Sequence, residues 1–175
     1  MPAKVHIGTG VDMTSKERNE NYRNAAKELT RADHLLYVSL KYSRTVDVIQ
    51  SIVNRLVESC KFVIISALED KVDEDELKKY SHGNAMLVKG MLKYYPTTQE
   101  FIDHFNFLRK LNKAEVKQRL NEYRKHLTLV TDIDGKEVKI KVEDIIEYYE
   151  KVKDFLKVVN KYVHGDDDDL LSLKN

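Results

Sequence analysis

The strongest constraint on the fold is a periodic stripe. Val46, Ile49, Val53, Leu56, Cys60, Val63 and Ala67 follow one another in alternating steps of three and four. That spacing places every one of them on a single side of an α-helix. Ile52, Val57 and Ile64 widen the stripe into a face broader than a two-stranded coiled-coil seam needs. A helix this apolar has to be covered by other helices. Carried backwards in the same register, the pattern reaches Leu35, Ser39 and Tyr42, so Thr30–Asp70 reads as one long, kinked helix. Ser43 and Thr45 flank Arg44 and can cap a restart, which leaves two abutting helices open.

The bulk properties exclude several classes. A chain of 175 residues suits one domain with a sizeable core. Its formal charge of +1 gives no global basic excess, though local basic patches remain compatible with it. The single cysteine, Cys60, lies on the apolar stripe. It allows no intramolecular disulfide and no metal site built on cysteines, and it reads as a small core residue. The first ten residues, MPAKVHIGTG, lack an apolar secretory core, and no stretch reaches the ~20 apolar residues of a membrane span. The expectation is a soluble, cytoplasmic protein with no membrane contact.

Residues 1–13 carry Pro2, Gly8 and Gly10 without helical period and read as an N-terminal arm. Thr14 followed by Glu17 reads as a capping box, opening a polar helix with a thin apolar side of Tyr22, Ala25, Ala26 and Leu29. Such a helix packs on the outside of a bundle, or runs straight on into the Thr30 segment. After Asp70, Asp73 can cap a short helix that Gly83-Asn84 interrupts. Met86, Leu87, Met91, Leu92 and Tyr95 form the next helical face, stopped by Pro96. Thr97 and Glu100 predict a second capping box, opening a helix that buries Phe101, Phe105 and Leu108 beside Ile102 and ends at Asn112. His104 reads there as a packing residue. Val116, Leu120 and Tyr123 keep helical spacing, predicting a further helix over Ala114–Tyr123.

The period then changes to two. Asp134-Gly135 is a strong two-residue hairpin signal. With those residues in the turn, Ile133 pairs with Lys136, Thr131 with Val138, Leu129 with Ile140 and Leu127 with Val142. Leu127, Leu129, Ile133, Val138, Ile140 and Val142 then share one face. Glu143–Val163 is the last helix, with Ile145, Tyr149, Val152, Leu156, Val159 and Val163 at helical steps, and Gly165 stops it. Residues 165–175 form an acidic tail.

No phosphate-loop, dinucleotide, zinc-protease, CxxC or nucleophile-elbow pattern occurs, and none of the six histidines pairs with Glu or Cys at metal-ligand spacing. No metal and no cofactor is expected. The acidic run Asp70–Glu76 reads as a solvated helix start rather than a cation site. One cluster stands out: Arg119, Glu122, Tyr123, Arg124, Lys125 and His126. Arg recognises phosphate bidentately and His transfers protons near neutral pH, so these residues can hold and act on a phosphodiester. They equally suit an exposed helix end whose dipole prefers cations.

The long helix, its helical partners and the EYRKHLTLV…DGKEV segment followed by a final helix resemble an uncharacterised archaeal branch of the HEPN superfamily, over roughly Thr30 to Val163. The resemblance implies an all-α, up-and-down four-helix bundle, here with a β-hairpin (about 126–142) inserted before the last helix, and a homodimer. It also implies an association with nucleic acid, as a metal-independent RNA endonuclease or as the partner of a nucleotidyltransferase in a toxin–antitoxin pair. The superfamily motif places a His five to seven positions after an Arg, which Arg119 and His126 meet. The implied roles are His126 as base on the 2′-hydroxyl and Arg119 as clamp on the scissile phosphate. Tyr123, Arg124 and Lys125 would then bind substrate. The alternative is a bundle without catalysis that binds a protein partner or a small ligand.

Overall fold

A computed structural model describes the backbone of residues 8–165 and the side chains of residues 20–165. The elements run α1 (Gly8–His34), a π-helical turn (Leu35–Ser39), α2 (Leu40–Tyr42), α3 (Val46–Glu69), α4 (Glu74–Tyr80) and α5 (Asn84–Tyr94). A 3-10 turn (Pro96–Thr98) leads into α6 (Gln99–Lys113), then β1 (Val116–Leu120), β2 (Thr128–Ile133), β3 (Lys136–Lys141) and α7 (Val142–His164). Helix α1 begins before Thr14, so only part of the expected arm lies outside the described residues, as does the acidic tail after Gly165.

Helix α3 is the axis of the molecule. Its whole stripe is buried, and Ile52, Val57, Ile64 and Leu68 on its flanks are buried too. At ~1.5–3 kcal/mol for each large aliphatic side chain taken out of water, this one helix supplies much of the drive to fold. Side-chain bonds fix the directions around it. Asn21 bonds Glu69, Ser59 Oγ donates to the Ala25 carbonyl at 2.8 Å, and Arg55 bonds Glu28 at 3.0 Å, so α1 and α3 are antiparallel. Tyr22 donates to the Leu156 carbonyl at 3.1 Å and Tyr149 to Asp33 at 2.7 Å, so α7 runs against α1. The Phe101 ring stacks on Phe155 at 5.1 Å and Thr97 meets the Tyr162 hydroxyl at 2.9 Å, so α6 runs against α7. The four long helices therefore alternate in direction, with α4 and α5 inserted after the second and a small sheet before the last. The polar helix α1 is part of this core, with Tyr22, Ala25 and Ala32 fully buried.

The Thr30–Asp70 segment is two helices. The chain turns at Ser43–Thr45, and Thr45, in an extended conformation, caps α3 by accepting from the Val48 N–H at 3.4 Å. On the near side, α1 runs through the π turn into α2 without a gap. A π turn inserts one residue relative to α-helical spacing. The buried positions there are Leu36 and Leu40, while Tyr42, which the unbroken register would bury, is 85% exposed.

The hairpin register agrees with the sequence expectation: Ile133 faces Lys136, Thr131 faces Val138 and Leu129 faces Ile140. Val142 instead opens α7. The helix expected over Ala114–Tyr123 is not formed. Residues 116–120 are β1, an antiparallel edge strand on β2 with Arg119 opposite Leu129, giving a three-stranded sheet in the order β1-β2-β3. Five residues with Val116 and Leu120 at the ends fit a period of two as well as one near four. The free edge of β2 decides between them, because its backbone groups need partners.

Asp73 caps α4 by accepting from the Glu76 N–H at 2.8 Å, as expected. The Thr97 capping box is absent: Thr97 bonds Tyr162, and Thr98 Oγ1 donates to the Tyr95 carbonyl at 2.7 Å. No helix among the described residues is long and apolar enough to cross a membrane.

Two consequences are measurable. A Cβ at Gly90 would lie 2.8 Å from Cδ1 of the buried Tyr80 ring, so α5 can pass α4 only without one. Gly90→Ala is therefore expected to lower the free energy of unfolding by about 1 kcal/mol in a denaturant titration, although alanine is the better helix former. His104 packs between Phe107 and Tyr148, with its Nε2 3.3 Å from the Tyr148 carbonyl. Burial holds its pKa below 6.5, partly offset by the Tyr148 hydrogen bond, with Lys151 acting in the same direction as burial. The unfolded chain then binds the proton more readily, so this stability is complete above about pH 6.5 and is lost as pH falls through the lowered folded value. His104→Asn should flatten that part of the stability–pH curve.

Candidate nucleic-acid interface

The residues that converge come from three separated segments. The turn at Ser43–Thr45 separates α2 from α3 and strands the Arg44 carbonyl, which no helix can satisfy. The Tyr123 N–H donates to it at 2.6 Å. Tyr123 lies in the loop between β1 and β2, and reaching Arg44 puts it at φ 65°, in the left-handed region. Asn121, at φ 58°, starts the same loop, which the Arg124 N–H closes onto the Asn121 carbonyl at 3.0 Å. Asparagine tolerates this region; a tyrosine there carries strain of roughly 1–2 kcal/mol.

Beside this contact lies an open cleft of about 350 Å³. The π turn and α2 supply Leu36, Tyr37, Leu40 and Lys41 to its walls, the joint supplies Arg44, the loop supplies Lys125, and the start of α7 supplies Val142, Glu143 and Ile146. Lys41, Arg44 and Lys125 make no ion pair with the described residues. Three cations thus face one carboxylate, Glu143. Tyr37 rests edge-on against Tyr149, 6.2 Å between centroids, and is about half exposed. Tyr42 and Tyr123, on the same segments as Lys41, Arg44 and Lys125, are 85% and 77% exposed.

Of the residues singled out from sequence, Lys125 lines this cleft; Arg119 and His126 do not. Arg119 faces the start of α3, where its guanidinium meets Asp47 at 3.0 Å and Glu122 at 3.4 Å. The Asp47 hydrogen bond raises its pKa further. His126 has an exposed side chain, and its carbonyl accepts from Asn121 Nδ2 at 3.1 Å and Thr128 Oγ1 at 3.0 Å, tying it into the start of β2. Arg124 is exposed in the loop. Sequence reasoning missed Tyr37, Lys41 and Arg44, about 80 residues away in the chain; the break between Ser43 and Thr45 was their only signal. No group of His, Cys, Asp and Glu among the described residues could hold a metal ion, and Cys60 is buried in the core, where burial pushes its thiol pKa up.

Comparison of this chain with protein families, with curated proteins and with solved structures returns no match.

The strain at Tyr123 can be read directly. Tyr123→Gly should keep or slightly raise stability in a denaturant titration, because relief of the left-handed conformation outweighs the ~0.5–1 kcal/mol entropic cost of glycine. Tyr123→Val, β-branched at the same φ, should lose at least ~1 kcal/mol. The reverse order would mean that the loop is not held under strain.

Proposed function

We propose that this protein is a HEPN-like helical domain that binds RNA through the cleft between α2, the β1–β2 loop and the start of α7, and does not cut it. One observation carries the reading: three cations from two distant segments, Lys41 and Arg44 from one and Lys125 from the other, none ion-paired among the described residues, converge on one open surface. A phosphodiester backbone is the ligand that a row of unneutralised cations suits, with Arg44 able to bind phosphate in two-point fashion. Exposed aromatic side chains beside such a row are what nucleic-acid surfaces add to charge. The resemblance to the HEPN superfamily supports RNA as that ligand. The binding form is preferred over the endonuclease because the guanidinium that would clamp the scissile phosphate is already held by two carboxylates, Asp47 and Glu122. A phosphate entering there would meet both of them, whereas the cleft presents one, Glu143.

The test is fluorescence anisotropy with a labelled RNA over a range of salt. Wild-type protein should bind, with an affinity that falls as salt rises. Exchanging Lys41, Arg44 and Lys125 for Ser should weaken binding at least ~tenfold and lower the salt slope by about 2, as expected for the loss of three contacts to a single strand. RNA incubated with the protein in excess chelator should remain intact, with and without His126→Ala. Unchanged binding by the triple variant would overturn the assignment of the cleft. Chelator-resistant cleavage that disappears with His126→Ala would restore the endonuclease reading.

A further inference from the structure

The ten tyrosines fall into two groups. Eight are held by contacts within the fold: Tyr22 and Tyr95 bond buried carbonyls and Tyr149 bonds Asp33 through their hydroxyls, Tyr80 and Tyr94 bond Glu76, and Tyr37, Tyr148 and Tyr162 pack against other rings. Tyr42 and Tyr123 have neither a ring contact nor a hydroxyl partner among the described residues, and they are the two most exposed large hydrophobic side chains there. They are also neighbours. Tyr42 stands two residues before Arg44, and the Arg44 carbonyl holds the Tyr123 backbone at 2.6 Å. At Tyr123 the exposure is combined with a left-handed backbone, so the residue carries strain while its ring gains nothing from burial. Glycine or asparagine would sit there at lower cost.

We propose that Tyr42 and Tyr123 are stacking platforms for unpaired bases, so that the cleft takes single-stranded rather than duplex RNA. The inference rests on the RNA-binding reading above and adds the substrate class. Tyr42 adjoins Lys41 in the chain, and Tyr123 is two residues from Lys125 and bonded through its backbone to Arg44, so both rings are carried on the segments that bring the three cations to the cleft. An unpaired base can turn a π-face toward a tyrosine; a paired base offers its faces only to its neighbours in the helix. Charge alone would serve single strands and duplexes alike.

Anisotropy with a short single-stranded RNA and with the same sequence in a duplex tests the proposal, with inorganic polyphosphate as a competitor that has charge but no bases. The wild-type protein should prefer the single strand about tenfold. The double variant Tyr42→Ala/Tyr123→Gly should lose about tenfold in single-strand affinity, while duplex binding and competition by polyphosphate stay unchanged. Tyr42→Phe/Tyr123→Phe should behave as wild type, since stacking needs the ring and not the hydroxyl. Circular dichroism of each variant confirms that it is folded, and glycine at position 123 suits the left-handed backbone. Equal affinity for single strand and duplex, or full single-strand affinity in the Ala/Gly variant, would overturn the stacking role. If the tyrosine variants are silent but removal of the three cations abolishes binding, the RNA-binding reading stands and only the stacking inference falls. If wild-type protein binds no RNA, both fall together.

Discussion

The enclosure of α3 is the constraint from which the remaining structure follows. A helix buried on its stripe and on both flanks needs neighbours on several sides, and α1, α5, α6 and α7 supply them. The most extensive contact is with α1, and its sequence allows it. Ala25 and Ala32 on α1 face a helix that carries Ser59, Cys60 and Ala67, so the backbones approach without overpacking, and Ser59 Oγ spans the gap to the Ala25 carbonyl. Glu28 lies in the same interface, 8% exposed, and is bonded by Arg31 on its own helix and Arg55 on α3. A nearly buried carboxylate is tolerable only when it is paired. A one-turn slip of α1 against α3 would take Arg55 away and leave only Arg31, so Glu28 acts against alternative registers more than it adds stability.

Fixing α3 against α1 also fixes where the chain must turn between them, and the sheet is hung on that turn. Its β1 edge is tied to the first turn of α3 by Arg119 and Asp47, and Asp47 is a residue that the helix N-terminus itself favours. Its loop is tied to the joint by Tyr123 and Arg44. Its hairpin tip is tied to α6 by Lys110 and Asp134 at 2.7 Å. Each exposed ion pair contributes little alone. Together with the burial of Leu127, Leu129 and Ile140 they hold a sheet too small to be stable by itself. Lys125 is therefore placed by the bundle, through the loop, and is not free to wander as a surface lysine on a hinge would be.

The parts of this fold legible in the sequence are those whose signal is local and long. The stripe on α3 and the Asp134-Gly135 hairpin each combine many residues with one period, and both form as expected. Strand β1 was not legible, because five residues cannot separate the two periods and the deciding term is the unpaired edge of β2. The Thr97 cap failed for a similar reason: its hydroxyl had a competitor, Tyr162, from a distant helix. At the cleft, Lys125 belonged to a visible basic cluster, whereas Tyr37, Lys41 and Arg44 looked like one more stretch of helix surface. What unites them is a tertiary contact between the chain's first break and its strained loop, and no local pattern encodes it.

A formal charge of +1 does not argue against a polyanion as ligand, because the range that matters is shorter than the molecule. At physiological salt the screening length is about 8 Å, so a phosphate in the cleft senses mainly the groups that line it. Those groups are three cations and Glu143. The surplus is small, and an interface built on it alone would be weak and easily lost in salt. Aromatic contacts are much less sensitive to salt than the release of counterions from phosphates. A cleft with a modest surplus of charge therefore gains disproportionately from exposed rings carried on the segments that line it. That gives a physical reason for a chain to keep Tyr123 in a conformation that a tyrosine resists, and to leave Tyr42 in water where the helix register ends.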